Sequence, residues 1–279
     1  MNIKIKKKTI KKVCIFLLIM VLAFVFVVPV YWMIISSLKD DQTIFQYPPV
    51  LFPEVLHFEN YVEMVNFIPF FQYAGNTLII SVLSTLGILL SCSMVAYALA
   101  KLRWKGRKVY FVVMLATMLL PYQAQMIPLY MLFKKLGWIG TYLPLIVPNF
   151  FGVATYIFFL RQFMIGIPKD LTESAFIDGA GHFTIFRKII IPLVKPALFS
   201  VALFAFFANW ADFLGPLIFI NKQKMYTLTI GLTHFTTGHK TEWGLMMCAC
   251  VLFSLPIAII YFFTQKYFVE GVTFSGIKG

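Results

Sequence analysis

The sequence predicts an all-α integral membrane protein of six transmembrane helices, with one long polar loop between the fourth and the fifth. Three observations predict it. Apolar residues make up 60% of the 279 positions and include 31 Phe, well above the roughly 45–50% of a soluble domain. They are gathered into six runs, each long enough to cross a hydrocarbon core. Residues 168–196 are the one long interruption, polar, basic and helix-prone. The net charge of +13 belongs to the same picture. Lys and Arg are spread through short connections rather than over one soluble face, so the positive-inside rule accounts for them and a nucleic-acid partner is excluded.

The chain opens on a basic tail with lysines at 4, 6, 7, 8, 11 and 12. Its lysines fix topology and can meet anionic lipid. The first span, 13–38, has the charge order of a signal peptide, but its apolar run is too long and no small-residue cleavage site follows, so it is read as retained. Residues 39–72 form an outer segment rich in Pro, aromatics and acids, among them Asp40, Asp41, Glu54, Glu59 and Glu63, with a short surface helix over 58–65. The second span, 73–100, is opened by Gly75, Asn76 and Thr77. It carries Ser81, Ser84, Ser91 and Ser93, small hydroxyl residues that let membrane helices approach and hydrogen-bond across the contact. The turn 101–108 holds five basic residues and no acid, which places it in the cytoplasm.

The third span, 109–133, contains Pro121, Tyr122, Gln123, Gln125 and Pro128. Its prolines free backbone carbonyls, which a bilayer tolerates only where protein or a water-filled cavity receives them. Gln123 and Gln125 are therefore candidates for a transport pathway, the alternative being a kink packed against neighbours. The fourth span, 141–163, has Pro144, Pro148 and Asn149 near its outer end.

In the loop 168–196, Pro168 ends what precedes it. Asp170 is placed to cap a new helix and Glu173 to complete a capping box. Leu171, Ala175 and Phe176 form the expected apolar stripe, and Gly179, Ala180 and Gly181 mark a docking surface or a sharp turn. A second helical run, 183–190, carries Arg187 and Lys188, and Pro192 and Pro196 mark re-entry into the bilayer.

The fifth span, 197–220, contains Asn209 and Asp212, three apart and so expected on one helix face. A carboxylate at the bilayer centre costs about 2.5–3.5 kcal/mol, so Asp212 should meet a wet cavity, a polar partner or the outer interface. It joins Asn209 as a pathway candidate. The outer loop 221–243 carries His234 and His239, whose spacing suits a metal but lacks a third ligand; solvated histidines are the simpler reading. The sixth span, 244–267, holds Pro256. Cys14, Cys92, Cys248 and Cys250 all lie in apolar runs, with no metal or disulfide spacing.

With both termini inside, the tail, the turn 101–108, the segment 161–195 and the C-terminal piece hold 18 of the 24 basic residues, while six of the 11 acids fall outside. Inverting the chain would break the positive-inside rule at nearly every connection. No GxxxxGK[ST], HExxH or GxSxG run is present, so no catalytic residue is assigned and no hydrolysis is expected of this chain.

Glu173, Ser174 and Ala175, then Asp178, Gly179 and Ala180, then Phe186, Ile189, Pro192, Leu193 and Pro196 resemble the EAA loop of binding-protein-dependent ABC importer permeases. The resemblance implies the type I ABC importer fold, in which this loop is a coupling helix seated in a groove of a cytoplasmic ATPase. Ser174 stands where Ala is usual and is small enough for the same groove. The run LLPYQAQMIPLYMLFKKLG with TYLPLIVP is similar to the third and fourth spans of the carbohydrate branch. NWADFLGPL is similar to that family's NWNDFLWPL, with Ala211 and Gly215 as smaller departures expected to widen or reshape a local cavity. The ending GVTFSGIKG resembles the tail of maltose-type permeases that reaches between ATPase subunits, which would place Gly276, Lys278 and Gly279 there.

The resemblance further implies a bacterial cytoplasmic membrane, a sugar or oligosaccharide as substrate, and an extracytoplasmic sugar-binding protein docking near the first outer loop. It also implies a second six-span permease and an ATPase dimer. No cofactor is expected in this chain; ATP and Mg belong to the ATPase. Two alternatives stay open. One is a permease for another polar solute such as a glycerol phosphate, which should show basic residues facing the cavity. The other is a nucleotide-independent channel or secondary transporter, which should show more intramembrane charge or an internal repeat.

Overall fold

The computed structural model describes the backbone of residues 2–236 and 240–273 and the side chains of 11–236 and 240–265. The described residues are largely helical, and they divide into two compact units, 2–70 with 232–236 and 240–255, and 71–231 with 256–273. Four helical stretches are long and apolar enough to cross a membrane, and two bent helix pairs bring the number of candidate crossings to six.

In the first unit, α1 (Asn2–Ser37) is followed by α2 (Asp41–Ile44) and α3 (Glu59–Phe67). The apolar side chains of α1 are largely exposed, as expected of a helix facing lipid or another subunit. The connection beyond α1 is tied down by polar contacts. Asn60 donates its amide to the carbonyls of Ser37 and Lys39, the Ser37 and Tyr61 hydroxyls lie 2.8 Å apart, and Asp41 accepts the Gly244 N–H at 2.7 Å. Lys39 is buried; it donates to the Val50 carbonyl and sits 4.3 Å from the centre of the Trp32 ring. This segment is an anchored cap, consistent with its Pro-rich, aromatic composition.

The second unit is built on α4 (Phe70–Lys101), whose 32 residues run past one hydrocarbon thickness. The predicted third span is two helices, α5 (Arg107–Thr117) and α6 (Tyr122–Lys135), bent by 99° where Pro121 interrupts the backbone ladder. The fourth combines α7 (Leu143–Ile146), a 3-10 turn (Val147–Phe151) and α8 (Ala154–Gly166). Here the serines of α4 act much as expected. Ser84 and Ser91 donate to the carbonyls of Leu145 and Asn149, each at 3.0 Å, satisfying backbone groups that this irregular stretch leaves open. Ser93 instead bonds within its own helix, and Ser81 is buried without a hydrogen-bond partner among the described residues.

After α9 (Asp170–Ile177) come α10 (His182–Ile185), a π-helical turn (Phe186–Ile190), α11 (Ile191–Leu193) and α12 (Lys195–Trp210), with a 79° bend at Val194. The expected span 197–220 is therefore corrected. Its long helix ends at Trp210, and α13 (Leu214–Phe219) is separate. Pro216 offers no N–H to the Asp212 carbonyl, which accepts the Thr229 hydroxyl at 2.7 Å instead. Then α14 (Leu228–Thr233) leads to α15 (Trp243–Thr273), which contains Pro256. The C-terminal candidates Gly276, Lys278 and Gly279, and His239 of the outer loop, lie outside the described residues. Among the described residues no cluster of three potential metal ligands occurs.

Candidate coupling surface and membrane breaks

The loop 168–196 is held by a core drawn from five helices. Ala175 of α9 and Ile185 and Ile190 of the segment beyond it join Tyr97 and Leu99 of α4, Leu160 and Met164 of α8, and Val194 and Ala197 at the 79° bend. Burying these side chains fixes the loop to the ends of α4 and α8. Lys101 strengthens the attachment by donating to the Ile167 carbonyl at 2.7 Å, and the Phe186 and Tyr97 ring centres lie 5.2 Å apart.

The start of α9 corrects the sequence reading. Lys169, not Asp170, is the N-cap residue, and no side chain closes a capping box. Asp170 and Glu173 fall inside the first turn, where their charge still favours the helix N-terminus. The expected apolar stripe is also rotated. Thr172 and Ala175 are buried, whereas Leu171 and Phe176 are each 44% exposed. The face of α9 that packs on the core is the one carrying Thr172 and Ala175.

The far end of α9 closes as a Schellman motif. Ala180 N–H bonds the Ala175 carbonyl at 2.9 Å and Gly179 N–H bonds the Phe176 carbonyl at 3.0 Å. Gly179 has φ +80° with open space around its missing Cβ, so backbone conformation rather than crowding requires glycine there. Asp178 is the C-cap residue and Gly181 starts α10. The result is a tight α9–turn–α10 corner on which Phe176, Ile177 and Phe183 stand 44%, 86% and 72% exposed. Glu173, Ser174, Asp178 and Gly179 are exposed around it, Ala180 and Phe186 are half-buried, and Pro192 is exposed at the far end. The exposed apolar trio was not singled out from sequence, although the motif residues flanking it were.

The four pathway candidates have local roles. Gln125 donates to the Leu120 carbonyl at 3.1 Å, one of the groups left open by the bend before α6. Gln123 is exposed on the same turn. Asn209 donates to its own helix at Ala205, 2.7 Å away. Asp212 lies beyond α12, so it does not share a helix face with Asn209; its carboxylate accepts the Gly215 N–H at 3.2 Å in the first turn of α13, whose N-cap residue is Phe213. Gly215 does not widen a cavity. It is buried, and a Cβ there would run into the Asp212 carboxylate and lie 2.9 Å from Leu145, so glycine allows this turn to close and α13 to pack on α7.

Two further residues matter at the outer end and were noted in sequence only as helix openers. Asn76 donates to the Lys224 and Tyr226 carbonyls, each at 2.9 Å, and Thr77 accepts the Leu228 N–H at 2.9 Å. Together they pin the loop after α13 to the start of α4.

Residues 84–274 match the family described as the binding-protein-dependent transport system inner membrane component. The chain is 33% identical over 271 residues to the arabinooligosaccharides transport system permease protein AraQ of Bacillus subtilis, covering 96% of each. It is 32% identical to the diacetylchitobiose uptake system permease protein DasC of Streptomyces coelicolor, covering 91% of this chain and 92% of that one. It is also 32% identical to the trehalose/maltose transport system permease protein MalG of Thermococcus litoralis, covering 98% and 99%.

Among solved structures, a chain of a bacterial ABC transporter involved in importing the acidic polysaccharide alginate superposes with a TM-score of 0.81 at 23% identity, covering 93% of this chain and 96% of that one. The fold is thus that of a type I ABC importer permease, a multi-pass membrane protein. Family match, full-length relatives and fold agree: the chain belongs to the inner membrane components of binding-protein-dependent transport systems.

Proposed function

We propose that this chain is one of two membrane subunits of an ATP-driven importer for a sugar or oligosaccharide, coupled to a separate ATPase through the corner between α9 and α10. The carrying observation is that Phe176, Ile177 and Phe183 are exposed together on a corner whose other face is locked into the core. Large exposed apolar side chains on a rigid, glycine-closed turn suit insertion into a groove of another protein. The relatives named for arabinooligosaccharides, diacetylchitobiose and trehalose/maltose support a carbohydrate substrate.

In this reading both termini lie on the cytoplasmic side of a bacterial cytoplasmic membrane. ATP and Mg are held by the ATPase dimer, and an extracytoplasmic binding protein delivers the sugar to the outer loops. A second six-span permease completes the pathway. Closure of the ATPase pair moves residues 173–181 as a rigid body, with Glu173, Ser174, Ala175, Asp178, Gly179 and Ala180 forming the contact and Phe186 and Pro192 carrying the displacement into α12. Gln123, Gln125, Asn209 and Asp212 line the breaks along the pathway, and Gly276, Lys278 and Gly279 reach the ATPase. Gly179→Asp tests the assignment: ATP-dependent uptake of labelled sugar by cells is abolished while the amount of protein in the membrane is unchanged. Normal uptake would remove the corner from the mechanism.

A further inference from the structure

A cavity of about 770 Å³ opens between the turn after α4 and the start of α9. Lys101, Arg103, Arg107, Lys169 and His182 line it from both sides, with Trp104 at its edge and Glu173 as the one acid. We infer that this cavity binds the phosphate of an anionic lipid headgroup, at the membrane face where the second and fourth spans end.

Four observations carry the inference. The four Lys and Arg side chains face one carboxylate, and none of the four is ion-paired, since the salt bridges among the described residues lie elsewhere, at His57–Glu59 and Lys240–Glu242. Lys101 and Arg107 are each positioned by a carbonyl, of Ile167 and Leu102 respectively. The side chains of Arg103 and Lys169 make no hydrogen bond among the described residues and can meet a ligand. Second, the N-terminus of α5 reaches this cavity at Arg107 with no side-chain cap and no acid in its first turn, so its dipole adds to the positive field, whereas Asp170 and Glu173 offset that of α9.

Third, the cavity is mixed in character. Ala100, Leu102, Ile165 and Phe176 give the lining an apolar part beside the cations, and Ile165 is 46% exposed. That combination matches a ligand with both an acyl chain and a phosphate. Fourth, Trp104 is 42% exposed beside the site, a residue type that favours the headgroup level. A free phosphate would satisfy the charge but not the apolar part. Glu173 and Phe176, which line this cavity, also belong to the corner proposed to meet the ATPase, so the lipid is sought on the chain without its ATPase.

The test is native mass spectrometry of the full chain in mild detergent, without any ATPase, titrated with phosphatidylglycerol or phosphatidylcholine. Wild type binds phosphatidylglycerol preferentially. Each basic residue near a membrane surface contributes about fivefold to anionic lipid binding, so Arg103→Gln/Lys169→Gln weakens phosphatidylglycerol binding by about 25-fold. Lys12→Gln/Lys105→Gln removes the same charge from two residues that do not line the cavity and changes binding by less than about twofold. Equal losses in the two pairs, or equal binding of the two lipids, would overturn the site.

Displacement of bound lipid by millimolar inorganic phosphate would overturn the lipid as ligand and leave a free-anion site. Loss of the adduct when a purified ATPase partner is added would show that protein, not lipid, covers the cavity in the complex. If the glutamine pair fails to elute as a folded species, Arg103→Lys/Lys169→Arg replaces it and must retain phosphatidylglycerol binding; its loss would equally overturn the charge-based site.

Discussion

At the scale of single residues, the positions that matter most are those where a side chain is missing. Gly179 holds a positive φ that costs an L-residue about 1–2 kcal/mol. Gly179→Ala should therefore loosen the Schellman closure, with faster hydrogen exchange at the amides of residues 179 and 180; unchanged protection would mean the turn is held by something else. Gly215→Ala meets Leu145 at close range and should destabilise the folded protein by about 1–3 kcal/mol, as overpacking does, seen as a lower unfolding temperature in detergent. Asp212 separates two explanations of a conspicuous acid. If it serves by accepting the Gly215 N–H, Asp212→Asn keeps an accepting oxygen and keeps uptake, while Asp212→Ala costs about 1 kcal/mol of stability; loss of uptake in Asp212→Asn alone would show that the charge itself is used. Lys39 gives a pH signature. Burial lowers its ammonium below the ordinary value near 10.5, so just below that pH the unfolded chain binds more protons than the folded one and stability rises with pH. The stability difference between wild type and Lys39→Met should then shift in favour of wild type on approaching pH 10. Gly179 and Asp212 were both legible as special residues. What sequence could not supply was the reason, because helix-face arithmetic assumes an unbroken helix and Asp212 lies past the end of one.

At the scale of elements, the breaks were signalled and their geometry was not. Pro121 and Pro128 announced trouble in the third span, yet the 99° turn depends on where the freed carbonyls find partners, and Gln125 taking Leu120 is a tertiary outcome. Similarly, Leu171, Ala175 and Phe176 have helical spacing, but the face of α9 that packs on the core carries Thr172 and Ala175, and Leu171 and Phe176 are exposed. Local pattern sets which residues can share a face, and the partner surface decides which face is buried. The π-helical turn Phe186–Ile190 lies between the α9–α10 corner and α12 and touches α4 through the Tyr97–Phe186 ring contact. π-turns are rare and are often found at functional sites. A double-mutant cycle of Tyr97→Leu and Phe186→Leu should give a coupling energy of about 0.5–1.5 kcal/mol in unfolding, and both single variants should lower uptake more than they lower membrane abundance. Additive effects on unfolding would remove this contact as a link.

At the scale of the whole molecule, membrane class, a set of four to six candidate crossings and a polar loop among them were readable because hydropathy is a property of whole segments and survives errors in local detail. The breaks within three of those crossings, and the outer loop pinned by Asn76 and Thr77, were not, since they depend on contacts between residues about 150 positions apart. Full-length relatives show the family; the proposed coupling turns on whether the corner carrying Ile177 meets the ATPase. Site-directed cross-linking tests it most directly. Ile177→Cys, made together with Cys14→Ser because Cys14 is the exposed native thiol, is treated in native membranes with a short bifunctional thiol-to-amine reagent. The account predicts a cross-linked product containing an ABC ATPase, with a yield that changes on adding ATP and vanadate. A product containing only copies of this chain, or none while the complex remains intact, would contradict it.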